Sequence, residues 1–118
     1  MENGFWEAVD ILVKRSRLII DRPKGSVHPR YPQCVYPLDY GYLENTSSMD
    51  GQGIDVWSGS QGERQVTAVI CTVDLLKGVS EIKILLDCTQ QEQQEVFRFH
   101  NEGEYMKGLL IPRPEKSL

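Results

Sequence analysis

The run Val66-Thr-Ala-Val-Ile-Cys-Thr-Val-Asp-Leu-Leu76 constrains the fold more than any other segment, because it is the longest β-prone stretch in the chain. Branched side chains dominate it, and their stiffness at χ1 favours a pleated over a helical backbone. Gly78 breaks the run, and Glu81-Ile-Lys-Ile-Leu-Leu-Asp87 follows as a second strand, alternating at first and then continuously apolar. Arg17–Asp21 predicts a third strand, ending where Pro23 removes a backbone donor. Val35–Leu43 is aromatic and β-prone, Ile54–Trp57 re-enters a strand, and Leu109–Ile111 offers a closing piece.

Helical patterns bracket these strands. Phe5, Trp6, Val9, Leu12 and Val13 recur at helical spacing and predict an amphipathic helix over 4–16, with Trp6 as a core anchor. Asn3 is placed to cap its first turn, and Glu7 suits its positive end. Thr89-Gln-Gln-Glu92 matches a capping box and opens a second helix reaching about His100, with Val96 and Phe99 inward. Pro112 and Pro114 mark a tail. The expectation is one domain over 1–118, mainly β within the α+β class: a small OB-like, closed or curled five-stranded barrel with an N-terminal and a C-terminal helix.

A formal net charge of -4 and a pI near 5.1 argue against a broad nucleic-acid surface. The same charge counts against a single-strand binder using Tyr36, Tyr40 and Tyr42 as a stacking face. An anionic ligand must therefore be drawn by a local cluster, and Arg22-Pro-Lys-Gly-Ser-Val-His-Pro-Arg30 provides one. Cys34, Cys71 and Cys88 contain no CxxC pair and are odd in number, which fits no disulfide framework. Cys71 and Cys88 sit among apolar residues as small core side chains, and a reducing cytoplasm is the expected location. No signal-peptide pattern and no apolar run of roughly 20 residues is present, so no membrane association is expected.

The chemistry is concentrated between Tyr36 and Trp57. A tyrosine-rich strand leads into a loop in which Asp50 and Asp55 flank Gly51 and Gly53. Glycines give such a loop backbone freedom, and two converging carboxylates suit a hard cation such as Mg2+, with Mn2+ as the alternative. An acidic loop for a metal beside a basic run for an anion points to metal-assisted chemistry on a phosphate compound.

Tyr36-Pro-Leu-Asp-Tyr-Gly-Tyr followed by Asp50-Gly-Gln-Gly-Ile-Asp-Val56 resembles, without a gap, the signature region of the soluble (family I) inorganic pyrophosphatases. The resemblance implies an OB-like barrel, Mg2+ dependence, hydrolysis of pyrophosphate to two phosphates, and homo-oligomers. It places Asp50, Asp55, Glu81 and Asp21 at acidic, metal-holding positions, and Tyr40 against substrate or the attacking water. Lys24, Arg30 and Lys83 become phosphate ligands, and Glu81 and Lys83, two apart on a strand, share one face. Apart from the resemblance, His28 lies in the basic run and is a candidate for a further phosphate contact.

Four departures bear on activity. Gln52 stands where the signature has the aspartate associated with activating the nucleophilic water. Gly53 replaces its proline and loosens the loop. No additional metal-binding aspartate lies between Lys77 and Glu81. Phe99-His-Asn101 falls where the family carries Tyr-Lys, and His100 is expected to be a helix-face residue without a chemical role. These departures keep open an alternative, a catalytically weak or inactive phosphate- or nucleotide-binding module on the same barrel. The enzymatic expectation rests on Asp50, Asp55 and Glu81 sharing one divalent ion.

Overall fold

The structure is a computed structural model and describes residues 3–48 and 51–115. In chain order the elements are α1 (Phe5–Arg15), β1 (Leu18–Arg22), β2 (Asp39–Leu43), β3 (Asp55–Ser58), β4 (Val66–Asp74), β5 (Val79–Leu86), α2 (Gln90–Phe99) and β6 (Met106–Pro112). The strands form one mixed sheet in the order β1-β2-β3-β5-β4-β6. Every neighbouring pair is antiparallel except β3 and β5, which run parallel.

The protein is thus a small α+β protein with six strands, not five. The expected closing piece at 109–111 belongs to a longer strand that pairs along β4 from Ala68↔Pro112 to Asp74↔Met106. Among the described residues no ladder joins β1 to β6, so the sheet is open at both ends. An antiparallel meander, β1-β2-β3, and an antiparallel three-stranded unit, β6-β4-β5, meet at the single parallel seam between β3 and β5.

Pleating assigns alternate residues of the central strands to opposite faces. Val56, Val69, Ile84 and Leu86 join Trp6, Val9 and Val13 of α1 in one core cluster. Trp57, Ala68, Ile70 and Leu85 join Tyr36, Leu38 and Val96 of α2 in the other. A strand covered on both faces needs apolar residues at every position, which explains why β5 loses its alternation after Lys83. Its Ile84, Leu85 and Leu86 are all buried.

Local chemistry sets the element ends. α2 begins with the full capping box: Glu92 N–H donates to Thr89 Oγ1 at 3.1 Å, and Thr89 N–H to Glu92 Oε1 at 2.9 Å. α1 departs from expectation, since its N-cap is Gly4 in the left-handed region at φ 83°. Asn3 acts one residue earlier, accepting from Phe5 N–H at 3.1 Å. At the other end of α1, the Arg64 guanidinium donates to the carbonyls of Val13 and Ser16, both at 2.9 Å. The β-prone stretch 35–43 is a strand only from Asp39, because Pro37 has no N–H to give a ladder. Tyr36 and Leu38 are nevertheless buried. Cys88 is buried as expected, while Cys71 is only partly so. Among the described residues no helix is long and apolar enough to cross a membrane.

Candidate functional site

Where the seam emerges from the α2-covered face, the sheet opens into a cavity of about 690 Å³. Strand parity decides what lines it. Tyr40 pairs with Trp57 and Tyr42 with Asp55 across β2 and β3, while Glu81 pairs with Thr72 across β5 and β4. Residues directly opposite in a ladder share a face, so these side chains and Lys83 all point to the same space. The parallel ladder sets Val56 beside Ile84, and carrying it back one residue brings Asp55 to Lys83.

Lys83 is the centre of the site. Only 6% exposed, its ammonium donates to Asp55 Oδ2 at 2.6 Å, Tyr40 Oη at 2.9 Å and Glu81 Oε2 at 3.3 Å. Tyr40 in turn donates its phenolic proton to Asp55 Oδ2 at 2.6 Å. Burial opposes the Lys83 charge, but the Tyr40 oxygen and the Asp55 carboxylate outweigh it and hold its pKa above the ordinary lysine value. Burial also drives the Tyr40 phenol upward, aided by Asp55 and opposed by Lys83. The phenol therefore stays neutral and remains a donor.

His100 closes the back of the cavity, 4% exposed at the C-cap of α2. An indole can only donate, so the bond from Trp57 Nε1 at 3.0 Å makes His100 Nε2 an acceptor. The proton then sits on Nδ1, 3.2 Å from Met106 Sδ. Burial, with the Lys83 charge adding to it, pushes this imidazole down to about 3. His100 is thus no surface residue of the helix but a neutral member of the cavity wall.

The opposite rim is cationic. The β1–β2 register shifts between Ile20 and Arg22, and this bulge turns both Asp21 and Arg22 into the cavity. Arg22 Nη1 donates to Tyr36 Oη at 3.1 Å, and Lys77 joins it from the β4–β5 turn. His28 lies at this rim, its pKa lowered by burial and then by the charges of Arg22, Lys77 and Arg30. His28 Nδ1 accepts from Arg30 N–H at 3.0 Å.

Of the residues expected from sequence, the cavity gathers Asp21, Tyr40, Gln52, Asp55, Glu81, Lys83 and His28. Lys24 and Arg30 are exposed and do not line it, and Arg22 and Lys77 take the cationic positions instead. Asp50 lies outside the described residues. Asp74 reaches the cavity from β4, although its Oδ1 also accepts from the backbone N–H of Leu76 and Lys77. Strand parity from Thr72 was the available signal for Asp74. Arg22 heads the basic run, but the bulge at Asp21 that turns it onto the cavity face had no counterpart in the sequence pattern. Gly53 fits tightly rather than loosening the loop, since a Cβ there would lie 2.7 Å from both Leu43 O and Tyr42 Cδ2.

Among the described residues no three metal-ligating side chains converge. Mg2+ is nevertheless commonly held by one or two carboxylates, with waters and substrate phosphates completing its shell. Asp55 and Glu81 supply two such carboxylates, so the donor set suits the ion, although both now face the Lys83 ammonium. No protein-family model matches this chain, and no curated protein matches it.

Proposed function

We propose that the protein hydrolyses a phosphoanhydride, with inorganic pyrophosphate as substrate and Mg2+ (or Mn2+) as the resident cation, in the cytoplasm. The observation that carries the proposal is one cavity joining the Asp55–Lys83–Glu81 cluster to the Arg22 and Lys77 rim. Phosphoryl transfer is mainly positioning and charge neutralisation, and this wall supplies both kinds of charge. Asp55 and Glu81, with Asp50 and Asp21 from the resemblance, would hold the cation, whose contribution is Lewis-acid polarisation of phosphoryl oxygens and water. Arg22, Lys77 and Lys83 would bind the oxygens of the substrate. The neutral Tyr40 phenol donates a hydrogen bond, and Gln52 orients water without taking its proton. An OB-like curl of the sheet, as the resemblance implies, belongs to the same proposal and is supported by the single six-stranded mixed sheet with a core cluster on each face. A crystal structure in which the six strands lie flat rather than curled would remove that part.

The test is phosphate release from magnesium pyrophosphate by the purified chain. Steady turnover that chelation abolishes is expected, and a folded protein inert with Mg2+ and Mn2+ would overturn the proposal. Gln52 on the cavity wall favours a second reading, a phosphate- or nucleotide-binding module without turnover. Calorimetric binding of pyrophosphate with no hydrolysis would select it.

A further inference from the structure

Two demands on Lys83 conflict in the structure as it stands. A phosphate ligand must have a donor to offer, yet an ammonium has three protons, and Lys83 directs them at Asp55, Tyr40 and Glu81. Likewise Asp55 and Glu81 must face a divalent ion, yet the cation between them is the protein's own ammonium. One exchange of partners removes both conflicts.

Building on the hydrolase reading, we propose that Lys83 is an internal placeholder: a divalent cation entering between Asp55 and Glu81 releases the ammonium from both carboxylates, and the freed donors take a phosphate oxygen. The side chain is suited to this. Its Cα is fixed in β5 between ladder partners, while four methylenes let the ammonium move into the adjoining cavity. Tyr40 Oη remains within reach as a third partner during the exchange. Until the cation arrives, the ammonium prevents two largely buried carboxylates, 19% and 9% exposed, from standing uncompensated. Cation and phosphate binding are then reciprocally coupled, each raising the affinity for the other.

Calorimetric titration with Mg2+ alone, without any phosphate, tests the competition directly. Lys83→Met removes the internal competitor and is expected to tighten Mg2+ binding by about ten-fold or more, within the usual range of such couplings. The same variant should bind inorganic phosphate more weakly than the wild type. Unchanged or weaker Mg2+ binding by a folded Lys83→Met protein overturns the proposal. Because that variant exposes two carboxylates to each other, the wild-type protein labelled with 15N-lysine gives an independent readout. The Lys83 Nζ signal should shift on adding Mg2+ and again on adding inorganic phosphate, and a signal unmoved by saturating Mg2+ overturns the proposal. Neither measurement reads hydrolysis. Coupled binding without turnover keeps the placeholder and removes the hydrolase, whereas turnover with an unmoved Lys83 does the reverse.

Discussion

A neutral amide at position 52 can orient a water molecule but cannot accept its proton, so the proposed hydrolysis turns on one atom of one side chain. Restoring a general base typically changes rate by about 100- to 10,000-fold. Gln52→Asp is therefore expected to raise phosphate release from pyrophosphate by a factor in that range, measured at fixed pH and Mg2+. An unchanged rate would place position 52 away from the attacking water. His100 makes a different prediction, about stability. Burial holds its folded pKa at about 3, below the ordinary imidazole value of about 6.5. Between those values the unfolded chain binds a proton that the folded chain refuses, so the His100 contribution is complete above about pH 6.5 and is lost as pH falls toward 3. The slope is about 1.4 kcal/mol per pH unit in that window. Urea titrations across pH 4–7 should show a shallower dependence for His100→Gln, whose amide oxygen can still accept from Trp57.

At the scale of elements, the approach of β1 to β2 rests on a missing methyl group. A Cβ on Gly41 would lie 1.8 Å from Ile19 O and 2.9 Å from Ile20 Cα, both backbone atoms that cannot swing aside. Gly41→Ala should therefore separate the two strands at a cost of at least about 3 kcal/mol, seen as a lowered urea midpoint. Chemical shifts of Asp21 and Arg22, carried by the displaced strand, should move with it. What was legible in the sequence follows from locality. The α2 capping box is written in four consecutive residues, Thr89 to Glu92, and the α1 stripe in a spacing of three and four. The partnership of Asp55 with Lys83 is not local: it arises from a parallel ladder whose register no nearby spacing encodes. Which member of the basic run reaches the cavity was hidden by a bulge, since one extra residue at Asp21 moves Arg22 onto the face that alternation denied it.

For the whole molecule, an open sheet leaves unpaired backbone at both ends, which invites association. β6 answers this with a side chain. Asn101 Oδ1 accepts from Gly108 N–H at 3.0 Å and Asn101 Nδ2 donates to Gly108 O at 3.1 Å, so an amide stands where a seventh strand would pair. Pro112, further along, has no N–H to offer. Asn101→Ala is expected to raise the mass measured by light scattering, increasingly so with concentration, relative to the wild type. Equal masses at all concentrations would assign edge protection elsewhere. The parallel seam has a consequence of another kind. Tyr40 and Asp55 come from the β1-β2-β3 side of the seam, Glu81 and Lys83 from β5 on the other side, and neither set makes the four-residue cluster by itself. Pairing segments so distant along the chain is slow compared with closing hairpins. In the proposed reaction the centre is thus complete only once β3 has paired with β5, so a chain that has not closed this seam brings no full cluster to a phosphate.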